Sequence, residues 1–93
     1  MSKVKFEKYI LKNLKNIESI CCRVWNGQGE TLDNACWLDV YIDGVEFETI
    51  FCSDCFEENS KEVFKLQKQW ANKLKKWINP NWNINLIVDE QCV

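Results

Sequence analysis

Ninety-three residues support one domain with one core, and a chain of this length buries roughly 60–65 % of its unfolded surface. A hydrophobic content of 46 %, with five Trp and five Phe, excludes a disordered or low-complexity chain and predicts an aromatic-rich interior. The net charge of −2 hides a strong segregation of sign along the chain, and the absence of His removes the commonest general base together with any Cys-His or Ser-His arrangement.

Residues 3 to 18 place Phe6, Ile10, Leu14 and Ile17 at steps of three and four with lysines between them, which predicts an amphipathic helix. The same interleaved lysines leave no uninterrupted apolar stretch for a signal peptide or a membrane span, so a soluble, cytoplasmic protein of a bacterial cell is expected. In that setting the six cysteines are expected as reduced thiols rather than as disulfides. "SICCRVWN" alternates Ile20, Cys22 and Val24 with Cys21, Arg23 and Trp25, the pattern of a short strand. "GQGETLDN", with two glycines, reads as a polar loop.

Trp37 to Phe51 reads as a β-hairpin closed by Asp43-Gly44, a strong signal for a two-residue type I′ turn. Counting outward from the turn pairs Ile42 with Val45, Tyr41 with Glu46, Val40 with Phe47, Asp39 with Glu48, Leu38 with Thr49 and Trp37 with Ile50. Leu38, Val40, Ile42, Val45, Phe47 and Phe51 then form the core side, and Trp37, Asp39, Tyr41, Glu46, Glu48 and Ile50 the outer side. This register sets two carboxylates directly across from each other, a repulsion of about 0.2–1 kcal/mol that calls for a nearby cation or an outside partner. Arg23, on the outer side with Trp25, is the strand cation within reach of Asp39 or Glu48.

After a turn at "CSDCFEEN", Asn59 and Glu62 have the spacing of a capping box, and Val63, Leu66, Trp70, Leu74 and Trp77 continue a helical face to about Ile78, where Pro80 stops it. "WNINLIVDE" alternates Trp82, Ile84, Leu86 and Val88 as a fourth strand. The expected fold of residues 1–93 is therefore a single α+β domain, a two-layer sandwich in the order α-β-β-β-α-β. It consists of an antiparallel three-stranded meander plus a C-terminal strand, with both helices on one face and the other face open.

From Val24 to Ser60 there is no Lys or Arg against nine carboxylates, whereas eleven lysines lie in the two helical segments. A bipolar molecule follows, with an acidic sheet and a basic helical layer. Aromatics beside unpaired carboxylates are more typical of an interface than of a merely solvated face. The candidate partner-binding set is accordingly Trp37, Asp39, Tyr41, Glu46, Glu48, Ile50, Asp54, Glu57 and Glu58, and no catalytic residue is assigned.

Other chemistries fit less well. Cys52-x-x-Cys55 has the spacing of half a zinc site, but there is no second such pair, and Asp54, Glu57 and Glu58 around it disfavour thiolate chemistry. No metal or cofactor is expected. Asp39 and Glu48 on an open sheet lack the enclosure that tunes a pair of catalytic carboxylates, so a non-enzymatic protein is expected. The order α-β-β-β-α is that of double-stranded RNA-binding domains, yet their basic cluster opens the last helix, where this chain has Glu57, Glu58 and Glu62. Nucleic-acid binding or an adaptor role through the basic helices is the alternative, with Lys65, Lys68, Lys73, Lys75 and Lys76 as determinants.

In size, acidity, the "YIDGVEFETIF" hairpin and the helix-then-three-strand order over residues 3 to about 75, the chain resembles small acidic phage-encoded anti-CRISPR inhibitors. Lys, Asn and Ile make up 29 of the 93 residues, a bias typical of a low-GC bacterium or its phage. The resemblance implies a protein-binding inhibitor that presents carboxylates to the basic DNA-reading cleft of an effector nuclease.

Overall fold

A computed structural model describes residues 1–26, 35–54 and 57–92, apart from the side chains at 26, 35, 53, 54, 57–60 and 90–92. The loop expected over residues 27–34 and Cys55 of the Cys-x-x-Cys pair lie outside the described residues. The first helix, α1, spans Lys3–Asn13 and starts on Ser2, whose Oγ accepts a hydrogen bond from Lys5 N at 3.2 Å. Its expected last turn tightens into a 3-10 turn at Leu14–Asn16 before Ile17 becomes extended. The second helix, α2, spans Glu57–Trp77 and so begins two residues before Asn59, which places the Asn59–Glu62 pair inside the helix rather than at its cap.

The strands are β1 (Ser19–Asn26), β2 (Ala35–Ile42), β3 (Val45–Asp54) and β4 (Asn85–Cys92). They form one sheet in the order β3-β2-β1-β4, antiparallel through β1, β2 and β3, with β4 parallel to β1. β4 starts later than the alternation from Trp82 predicts. After Pro80 the chain makes a 3-10 turn, Asn79 Oδ1 accepts from Asn81 N at 2.9 Å, and Asn83 takes a left-handed conformation (φ 55°, ψ 40°) that Asn tolerates.

Both helices pack on one face of the sheet, in a two-layer α+β sandwich. Phe6 and Ile10 of α1 and Val63 and Leu74 of α2 are buried with Ile20, Cys22, Val24, Cys36, Leu38, Val40 and Ile42 of the strands. Phe6 packs edge-on against Phe47 and is tilted against Trp77, which ties α1 to both the sheet and α2. At the centre of the α2 face sits Gln67, 2 % exposed, whose Nε2 donates to Cys22 O at 3.0 Å and Asp89 O at 2.8 Å. One buried amide thus holds the seam between β1 and β4.

At the hairpin tip Asp43 (φ 51°) and Gly44 (φ 79°) both have positive φ, as a type I′ turn requires. Asp43 also has a second role. Its Oδ1 accepts from Glu18 N at 2.9 Å and Ser19 N at 3.0 Å, and its own N donates to Ser19 O at 3.0 Å, so the tip is fastened to the start of β1.

Beyond the tip the register departs from the counted one. Ile42 faces Val45 and Tyr41 faces Glu46 as expected, but Val40 faces Glu48, Asp39 faces Thr49, Leu38 faces Phe51 and Trp37 faces Cys52. β3 is ten residues long against eight in β2, and its extra residues, Phe47 and Ile50, form two bulges. Each bulge resets which face the following residues share. Glu48 is carried to the helix side, where its Oε1 lies 3.5 Å from the Met1 amino group, and Ile50 packs half-buried against the core. The expected Asp39–Glu48 repulsion therefore does not form.

Replacing Asp43 by Ala should destabilise the fold by about 1–2 kcal/mol through loss of both side-chain hydrogen bonds and of a residue suited to positive φ. Asp43→Asn, which keeps an acceptor and tolerates that φ, should retain most of the stability. Urea unfolding followed by tryptophan fluorescence checks both.

Candidate functional site: the open sheet face

The face away from the helices carries Cys21, Arg23 and Trp25 from β1, Trp37, Asp39 and Tyr41 from β2, Glu46 and Thr49 from β3, and Ile87 and Asp89 from β4. At its centre Asp39 is 2 % exposed although no helix covers it. Side chains of its own sheet enclose it. Trp37 Nε1 donates to Asp39 Oδ2 at 2.9 Å, Tyr41 Oη donates to the same oxygen at 3.3 Å, and Thr49 Oγ1 donates to Oδ1 at 2.6 Å. Glu46 Oε1 also lies 2.9 Å from Thr49 Oγ1. A hydroxyl carries one proton, and Asp39, cut off from water, takes it while exposed Glu46 is solvated.

The donors are themselves locked. Trp25 Nε1 donates to Tyr41 Oη at 3.0 Å, and the Trp25 and Trp37 rings stack with centroids 6.1 Å apart and planes 19° apart. Burial pushes the Tyr41 phenol above its ordinary pKa, so it remains a donor through neutral pH. The Arg23 guanidinium lies 5.3 Å from the Trp25 ring centre and 5.5 Å from that of Tyr41.

Arg23 does not neutralise Asp39 or Glu48. Its Nη2 and Nε reach Asp89 Oδ2 at 2.9 and 3.1 Å, because parallel pairing sets Asp89 beside it on β4. The pair is partly solvated and contributes about 0.2–1 kcal/mol. Among the described residues, three carboxylates, Asp39, Glu46 and Asp89, therefore share the face with one cation, and no Lys or Arg forms an ion pair with Asp39 or Glu46.

Of the residues singled out from sequence, Trp37, Asp39, Tyr41 and Glu46 are brought together on this face, with Asp39 beneath the others. Glu48 and Ile50 lie on the opposite side. Asp54 ends β3 opposite Ala35, and Glu57 and Glu58 begin α2; their side chains are outside the described set. Trp25, Thr49 and Asp89 complete the site without having been assigned to it. Alternation already set Trp25 beside Arg23, but Thr49 is placed by a bulge and Asp89 by the parallel partnership of β1 and β4, neither of which the local pattern declares.

Asp39 and Glu48 stand on opposite faces, so they form no acid–base pair. Burial pushes the Cys22 thiol up to about 12, reinforced by neighbouring Cys21, whose own thiol is raised by burial despite the opposing Arg23 charge. Cys52 is exposed on β3. Among the described residues no group of three Cys, Asp or Glu side chains converges as a metal site, and no helix is long and apolar enough to cross a membrane. Comparison of the chain with protein-family models, curated proteins and solved structures finds no match.

Truncating Asp39 to Ala should cost about 2–4 kcal/mol, since it removes a hydrogen-bonded charge and leaves the Trp37 and Thr49 donors without their acceptor. Asp39→Asn should cost less than Asp39→Ala, because Oδ1 still accepts from Trp37 and Tyr41 while Nδ2 donates to Thr49 Oγ1, whose proton then goes to Glu46. Near-ultraviolet circular dichroism of stacked Trp25 and Trp37 should be lost in the Ala variant and kept in the Asn variant. In native protein at mildly alkaline pH, iodoacetamide should modify Cys52 and spare Cys22 until the fold is opened, as read by peptide mass spectrometry.

Proposed function

We propose that this chain is a non-enzymatic protein-binding inhibitor whose open sheet face docks on a basic, nucleic-acid-binding surface of its partner, such as the DNA-reading cleft of a CRISPR effector nuclease. The observation that carries this reading is the uncovered face itself, with its excess of carboxylate over cation and its prearranged aromatic rings. Glu46, exposed at the rim, contributes steering and a direct contact to a partner cation. Trp37 and Tyr41 supply part-exposed anchors whose rotamers are fixed before binding, so little side-chain entropy is lost on docking. Asp39 serves as a positioning residue, and its charge adds to the negative potential above the rings. Asp54, Glu57 and Glu58 extend the acidity along the chain at the end of the sheet where β3 passes into α2.

A second reading is supported by the opposite side of the molecule. All eleven lysines are exposed on the helical layer and its termini, and Lys73 Nζ stands 4.4 Å from the Trp70 ring centre. In that reading the chain is an adaptor whose basic helices meet an acidic partner.

Titration into a purified effector nuclease bound to guide and labelled target DNA separates the two. Wild type should displace the target, more weakly at high salt, since exposed charges are screened over about 10 Å at 0.1 M. Glu46→Lys should lose about tenfold or more in potency, while Lys73→Glu/Lys76→Glu keeps it. Loss in the helix variant with full potency in the sheet variant overturns the acidic-face reading.

A further inference from the structure

The helix side holds a feature that the open sheet face does not use. Lys5, Lys8, Tyr9 and Lys12 of α1 and Phe47 of β3 line a shallow hollow of about 250 Å³. Its floor is aromatic. Phe47 is the extra residue of the first bulge, turned toward α1, with its ring centre 5.0 Å from that of Tyr9 and the two planes 59° apart. Its walls are cationic, and Lys5 Nζ lies 5.4 Å from the Phe47 ring centre. Among the described residues no carboxylate lines it, in contrast to the hollow on α2, whose described lining has Glu62 among Lys61 and Lys65 and no ring.

We propose that this hollow is a binding site for single-stranded nucleic acid, in which one base lies on Phe47 and Tyr9 while Lys5, Lys8 and Lys12 follow the phosphates. Charge complementarity selects an anionic ligand, and the aromatic floor selects one with flat rings. Lys5, Lys8 and Lys12 occur at i, i+3 and i+7, a run of about 10 Å along the helix axis at 1.5 Å per residue. A strand that keeps the stacked, duplex-like spacing of about 3.4 Å per phosphate passes about three phosphates over that length. The hollow falls below the roughly 300–1,000 Å³ of pockets that enclose a drug-sized molecule, so it suits a single stacked base with the backbone outside. Stacking on aromatic faces tolerates every base, and the expected recognition is of strandedness rather than of sequence. Nothing in this site depends on the acidic face, which lies on the other side of the sheet.

Fluorescence anisotropy of a short labelled oligothymidylate, with full-length protein, tests the proposal. Three neutralised phosphates predict a log–log salt slope of about −2 for a single strand. Lys8→Glu/Lys12→Glu should weaken binding about tenfold or more, and Lys65→Glu/Lys68→Glu on α2 should leave it within twofold. Phe47→Leu, which keeps an apolar side chain but removes the ring, should weaken it about tenfold, the scale of one lost base stack. Circular dichroism melts of each variant confirm that folded protein is compared. The proposal is overturned by absence of oligonucleotide binding, by equal losses in the α1 and α2 lysine variants, or by unchanged affinity in Phe47→Leu. Preference for phosphatidylserine vesicles over the oligonucleotide, which the exposed Val4 and Leu11 of α1 would favour, overturns it as well.

Discussion

A carboxylate removed from water without a cation must be surrounded by donors, and that requirement at Asp39 organises the open half of this molecule. Two donors, Trp37 and Tyr41, come from its own strand, and the third is Thr49, which a regular hairpin places on the wrong face. The bulge at Phe47 turns Thr49 outward to Asp39. The same shift sends Glu48 toward the helices, which removes from the outer face the carboxylate that a regular hairpin sets directly across from Asp39. A second bulge at Ile50 restores the apolar alternation, so that Phe51 meets Leu38 on the core side.

Much of the fold can be read from local pattern. Phe6, Ile10, Val63 and Leu74 are buried where the helical spacing puts them, and the Asp43-Gly44 turn has the φ values its residues predict. The bulges escape a count that starts at the turn, because one inserted residue inverts every face assignment beyond it. A trace of them was nonetheless present. Uninterrupted alternation in β3 assigns Thr49 to the core and Ile50 to solvent, an inversion of their chemistry that an extra residue repairs. Gln67 was hidden differently, since a polar residue in the middle of an apolar helical face says nothing of the two carbonyl oxygens waiting for it. The Arg23–Asp89 pair depends on which strands are neighbours, a long-range fact that no window of sequence holds.

The two sides of the sheet divide the chemistry of the chain between them. The sheet face is short of cations, and its rings are fixed by hydrogen bonds to a buried anion. The helical layer carries the lysines on flexible stems over aromatic surface at Phe47 and Trp70. One side is preorganised and acidic, the other adaptable and basic. The proposed inhibitor role and the proposed nucleic-acid site thus rest on opposite sides of one small sheet.

β4 joins the sheet beside β1, the first strand, rather than beside β3, the strand that precedes it. In a chain emerging from the ribosome the three antiparallel strands can pair early, because their contacts are separated by short loops. β1 then waits as an edge, its outward-facing backbone groups open to any other extended segment, until residues 85–92 arrive. Gln67 lies on α2, which precedes β4 in the chain, and one of its two acceptors, Asp89 O, comes within reach only when β4 docks. Completion of the sheet and satisfaction of that buried amide are thus one event, late and cooperative, and the interval before it is when the chain is most open to pairing with the wrong strand.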